Sequence, residues 1–83
     1  MKDLIEYIVK ALVDKPDEVV ISETDGESAT VIEVKVADDD AGRVIGREGR
    51  IINALRTLVK AAGGKDKKRI TVEILTKEER RHD

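Results

Sequence analysis

The sequence contains no cysteine, no phenylalanine and no tryptophan, and only one tyrosine, one proline and one methionine. Without cysteine there is neither a disulfide nor a thiolate metal site to brace the fold. Without large aromatic side chains the core must be built from Val, Ile, Leu and Ala. No apolar run approaches the roughly 20 residues that a transmembrane helix needs. The first apolar stretch is interrupted by Asp3, Glu6 and Lys10, which is unlike a signal peptide, so a cytoplasmic protein with no membrane partner is the expectation. A chain of 83 residues makes one small domain, and a domain of that size buries only about 60% of its unfolded surface. Its stability rests on aliphatic packing, extended where a partner chain adds to it.

What is abundant is charge. Sixteen Lys/Arg face eighteen Asp/Glu for a net charge of −2, which by itself argues against a polyanionic ligand. The distribution reverses that reading: residues 1–40 carry −8, residues 41–69 carry +7 and residues 70–83 carry −1. A binding surface responds to local potential more than to the sum, although a charge block is also compatible with plain solvated surface.

The apolar pattern orders the elements. Leu4, Ile5, Ile8, Val9 and Leu12 form one stripe of a helix over about 3–14. Asp3 with Glu6 resembles a capping box at its start, and Pro16 stops it near Lys15. Val19 and Ile21 alternate with Val20 and Ser22 in a first strand. Thr30, Ile32, Val34 and Val36 alternate with Val31, Glu33 and Lys35 in a second. Thr24 to Ser28 is turn chemistry, so the two strands form an antiparallel hairpin. One acid of Asp38-Asp39-Asp40 is expected to cap a short helix over about 41–45. Three successive acids are a poor metal site, because adjacent side chains point in different directions. A longer helix runs over about 50–62 and stops at Gly63-Gly64. Arg69 to Leu75, with Ile70, Val72 and Ile74 on one face, is the last strand. The fold class is therefore α+β in the order α-β-β-α-α-β, one domain over 1–76 and a polar tail over 77–83. The two-helix crossover allows the second and third strands to pair in parallel. The result is a mixed three-stranded sheet with three helices on its apolar face.

Between the last two helices lies Gly46-Arg47-Glu48-Gly49. Two glycines permit backbone conformations denied to other residues and let a ligand backbone approach closely. The helix that begins at Arg50 points its unpaired N–H groups and positive dipole end at this loop, an arrangement suited to phosphate. Arg43, Arg47 and Arg50 add attraction and bidentate capacity. On four residues alone, a plain helix–helix turn is the more economical explanation.

The surroundings add a resemblance. Val44-Ile45-Gly46-Arg47-Glu48-Gly49-Arg50-Ile51-Ile52 is similar to the KH signature Ile-Gly-x-x-Gly-x-x-Ile, with Ile45 and Ile52 as the flanking apolar positions. The element order resembles the type II KH fold. The run from Ala41 to Arg50, followed by Ala54, Leu55 and Arg56, resembles the KhpA-type small bacterial KH proteins over nearly the whole chain. The resemblance implies a non-enzymatic module that holds about four nucleotides of single-stranded RNA by their backbone, as a post-transcriptional regulator or RNA chaperone. Gly46 to Gly49 would contact phosphates. Val44, Ile45 and Ile52 would floor the groove, and the strand from Ile32 to Val36, with Val34 at its middle, would form the far wall. With no aromatic rings, the groove forgoes base stacking, so modest affinity and loose sequence preference are expected. Glu48 puts a negative charge inside a loop that is commonly more basic in this family. Single-stranded DNA is a second candidate ligand, since no residue is tied to the 2′-hydroxyl.

The helix over 50–62 has an apolar face wider than one sheet needs. Ala54, Leu58 and Ala61 lie on the excess, which either packs beneath the first helix or meets another protein. KhpA-type proteins self-associate or pair with a larger KH-containing RNA-binding protein, so the resemblance implies a homodimer or such a heterodimer. The competing function is accordingly a protein-interaction adaptor with weak RNA or DNA binding. Lys65, Lys67, Lys68 and Arg69 either extend the basic surface or form a solvated loop. His82 stands alone in the polar tail, and Tyr7 is expected to be partly buried. There is no cysteine nucleophile, no P-loop and no pair of carboxylates with a pocket, so neither an enzyme nor a cofactor is expected.

Overall fold

The structure is a computed structural model and describes residues 2–62 and 69–76. The helix stop at Gly63-Gly64, the basic residues Lys65, Lys67 and Lys68, and the tail with His82 lie outside the described residues.

Three α-helices and three strands follow in the anticipated order: α1 Lys2–Leu12, β1 Val20–Asp25, β2 Ala29–Val36, α2 Ala41–Ile45, α3 Arg50–Ala62 and β3 Arg69–Thr76. Short 3-10 turns at Pro16–Glu18, Asp38–Asp40 and Arg47–Gly49 join them. β2 is the central strand, antiparallel to β1 and parallel to β3. Its alternation explains that position. Thr30, Ile32, Val34 and Val36 are all buried, while Val31, Glu33 and Lys35 on the other face are half-buried. The register sets Ile21 beside Val34 and Ile32 beside Val72, so the apolar positions of all three strands share one face. Thr30 is the one polar residue in that row, and its hydroxyl donates to Asp25 Oδ1 across the hairpin at 2.8 Å.

The three helices cover this face. Ile5, Val9 and Val13 from the first helical segment, Val44 from α2, and Ile52, Leu55 and Val59 from α3 form one core with the sheet residues. Their spacing of three, four or seven residues brings them to one side of each helix. Arg56 fastens α3 to the sheet by donating to the Val72 carbonyl oxygen at 3.1 Å.

α1 departs from expectation at both ends. It is already helical at Lys2, so Asp3 lies inside the first turn. Glu6 does not reach back to close a capping box. It pairs with Lys10 one turn on, at 2.9 Å, and that hydrogen bond and charge hold its carboxyl below the usual range. The helix ends at Leu12, ahead of Lys15, and Pro16 opens a 3-10 turn at a position where its missing N–H costs nothing. Tyr7 is 77% exposed rather than partly buried, because Ile5 and Val9 already fill the inward face.

Asp40 holds the α1–β1 connection to the start of α2. It occupies the cap position of α2 but makes no capping bond there. Its carboxylate, only 1% exposed, turns inward and accepts the backbone N–H groups of Asp14 and Lys15, each at 3.0 Å. Those two donors fall just past the end of α1, where the chain has left the helical ladder. At Asp40 a long-range bond stands in place of a local cap. Among the described residues no helix is long and apolar enough to cross a membrane.

Candidate nucleic-acid interface

The Gly46–Gly49 loop takes its shape from three residues at positive φ: Gly46 (80°), Glu48 (57°) and Gly49 (76°). Gly46 ends α2, its N–H donating to the Gly42 carbonyl oxygen at 2.9 Å, and its ψ of 172° sends the chain out of the helix. A Cβ at Gly46 would lie 2.7 Å from Ile51 Cγ1 and 2.9 Å from the Ile51 nitrogen, so glycine is needed for contact as well as for conformation. Gly49 returns to Gly46 through an N–H···O bond of 3.1 Å. A Cβ there would meet nothing closer than 3.7 Å, so only its φ demands glycine. Glu48 adopts the left-handed conformation without being a glycine, a strained state for a residue with a long side chain. α3 begins at the next residue but one, and its first turn faces the loop.

The charges around the loop are unequal. Arg47 is exposed, and among the described residues no carboxylate pairs with it. Arg50 is exposed and lies 3.8 Å from Glu48 Oε1, so the acid in the loop leans toward α3. Arg43 is differently placed. Its Nη2 donates to Asp14 Oδ2 at 2.9 Å and its Nε lies 3.4 Å from Asp40 Oδ1. Two carboxylates therefore offset its charge.

The apolar site residues divide by burial. Ile45 stands beside the loop with 38% of its surface open, and Ile51 is half-buried. Val34 and Val44 are fully buried and Ile52 nearly so. Those three have little or no surface to offer a base, because they are packed into the core with the sheet. The inner face of β2 from Ile32 to Val36 is likewise closed over by the helices. Gly42 stands in the run that resembles the KhpA-type proteins. It lies inside α2, and a Cβ there would meet nothing within 4 Å. Glycine in a helix costs about 1 kcal/mol relative to alanine, and among the described residues no neighbour requires it here.

On α3, Ala54, Leu58 and Ala61 are exposed, Leu58 by 49%. They do not pack beneath α1. Among the described residues no cluster of His, Asp or Glu is arranged to hold a metal ion.

Comparison with known proteins agrees with this architecture. The family model described as the KH domain of KhpA/KhpB matches residues 2–74. The RNA-binding protein KhpA of Clostridium acetobutylicum is 55% identical over 75 residues, covering 90% of this chain and all of its own. The RNA-binding protein KhpA of Caldanaerobacter subterraneus is also 55% identical, with the same coverage. That of Aquifex aeolicus is 47% identical, covering 90% of this chain and 95% of its own. No solved structure gives a significant match.

Proposed function

From the chain's membership of the KhpA/KhpB KH-domain family, we propose that it binds single-stranded RNA by its backbone at the Gly46–Gly49 loop, as a non-enzymatic regulator or chaperone of RNA. The loop itself carries the reading: three positive-φ residues bring bare backbone to the surface in front of the N-terminus of α3. Phosphate there meets a positive dipole end, with the exposed guanidiniums of Arg47 and Arg50 at hand, while the Gly49 and Arg50 N–H groups are given to the carbonyls of Gly46 and Arg47. The relatives' name, RNA-binding protein, supports the same ligand.

Bases of the bound strand rest on Ile45 and the open part of Ile51, with Val34, Val44 and Ile52 supporting that surface from the core. Stacking on aromatic rings, worth about 1–3 kcal/mol per base elsewhere, is absent from this surface. Affinity is therefore modest, selectivity among bases is low, and single-stranded DNA competes.

The test is a titration of a labelled single-stranded oligoribonucleotide, followed by anisotropy. The variant carries Arg47→Asp with Glu48→Asp, at two exposed positions where the backbone is unaffected and aspartate tolerates the left-handed conformation. Binding should fall by about tenfold or more, equivalent to ~1.4 kcal/mol. Equal affinity in a variant that melts like the parent refutes the loop as the site.

A second reading has its own observation: Ala54, Leu58 and Ala61 are left exposed on α3. This face suits a second copy of the chain or a larger KH-containing RNA-binding protein, and the domain would then act as an adaptor. Light scattering at micromolar concentration, alone and with such a partner, tests it. A strict monomer that takes up no partner removes it.

A further inference from the structure

Arg43 is gripped by two carboxylates of very different character. Asp40 is sealed in the protein and committed to the N–H groups of Asp14 and Lys15, so it cannot leave. The Asp14 side chain is 69% exposed and stands just past the end of α1, where the 2.9 Å bond to Arg43 Nη2 is its one ion pair among the described residues. Exposed pairs of this kind contribute little stability and exchange readily. Asp40 is thus a fixed neighbour of Nε at 3.4 Å, and Asp14 an exposed, exchangeable one at Nη2. A guanidinium has five N–H donors in a fixed fork, so most of them are uncommitted.

The position matters as much as the pairing. Arg43 lies three residues before Gly46 on the same short helix, and its side chain is 52% exposed. Next to it is Gly42, where the space a side chain would fill is empty. A strand seated on the Gly46–Gly49 loop and running back along α2 arrives at Arg43, with the open space at Gly42 just beyond it. A phosphate oxygen there can take the place of Asp14 Oδ2. Anion replaces anion on a guanidinium whose geometry Asp40 has already set, and phosphate suits that fork at least as well as carboxylate does.

We propose that Arg43 is a further phosphate contact of the nucleic-acid site and that Asp14 masks it in the free protein, so that Asp14 sets the affinity for single-stranded RNA. This rests on the loop being the RNA site. Asp40 is the positioning residue, and Asp14 is the competitor.

A double-mutant cycle decides the matter: parent, Asp14→Asn, Arg43→Ala and the double variant, titrated with one labelled single-stranded RNA at two salt concentrations. Asp14→Asn should tighten binding about three- to fivefold and raise the magnitude of the log K against log salt slope by about 0.7, the increment for one more phosphate of a single strand. In the Arg43→Ala background the same change should do nothing. If Arg43→Ala does not fold, Arg43→Gln keeps a donor beside Asp40 and completes the cycle. An inert Asp14→Asn overturns the proposal. So does tightening of equal size with and without Arg43, which would mark a general effect of net charge. The Arg47→Asp/Glu48→Asp variant separates the two levels. If it loses RNA while Asp14→Asn is inert, the masking idea alone fails. If it retains RNA, the loop reading fails and the proposal falls with it.

Discussion

Replacing Asp40 by alanine should damage the fold more than any other single loss of a charged side chain among the described residues. The carboxylate accepts two backbone N–H groups at 3.0 Å and has Arg43 Nε at 3.4 Å. Hydrogen bonds to a charged group contribute about 1.5–3 kcal/mol each. Asp14 and Lys15 are partly open, so water recovers some of their loss, and the two bonds do not add in full. A net cost of about 3 kcal/mol follows. A domain of this length has about 4–12 kcal/mol in total, so the variant forfeits a quarter or more of its stability. In a thermal melt that is a fall of roughly 12–24 °C, and in urea a midpoint lower by about 1–3 M with an unchanged slope. Asparagine should recover less than half of the loss, because its one acceptor oxygen serves one N–H and its amide points a donor at the other. Circular dichroism against temperature and urea measures all three proteins. A fall below about 1 kcal/mol for Asp40→Ala would refute the reasoning, since the connection after α1 would then be held by something other than this carboxylate.

The two loop glycines should separate under the same measurements. Gly49→Ala meets only ordinary contacts, at 3.7 Å and beyond, and should cost about 1–2 kcal/mol for its left-handed conformation, whereas Gly46→Ala collides with Ile51 and should cost visibly more. Equal melting temperatures would show that the contact is relieved without expense. Glu48→Lys should tighten RNA binding and steepen its salt dependence by about 0.7 in slope, because the change removes the partner of Arg50 and adds a cation in the loop. Equal or weaker binding at two salt concentrations would count against the loop as the phosphate contact.

Much of the fold can be read directly from residue spacing. The bounds of α3 and the inward row of β2 follow from periods of 3.6 and 2, and the parallel pairing of β2 with β3 from the length of the crossover. Burial of individual site residues does not follow so simply. Val44 and Ile45 are neighbours of one type on one helix, yet one is sealed and the other half-open. Only the direction in which α2 lies across the sheet distinguishes them. Asp40 was equally hidden. It is chemically identical to Asp38 and Asp39, and its partners Asp14 and Lys15 lie 26 and 25 residues away. Pattern reasoning sees local caps, and here a distant backbone outcompetes the local one. The pairing of Arg43 with Asp14 is invisible for the same reason, although the positive block in which Arg43 stands is plain. Gly42 did carry a signal, as a glycine inside a helix without a turn to make, but local propensity alone gives no cause for it.

The parallel pairing of β2 with β3 also governs when the loop can exist. α2 and α3 are laid against a sheet whose last member is Arg69–Thr76, and Val72 contributes both to the core and to the bond that holds Arg56. A chain emerging from the ribosome therefore exposes Gly46 to Gly49 well before it has the strand on which the flanking helices are seated. Until β3 has docked, the helices that frame Gly46 to Gly49 lack part of the sheet on which they are seated.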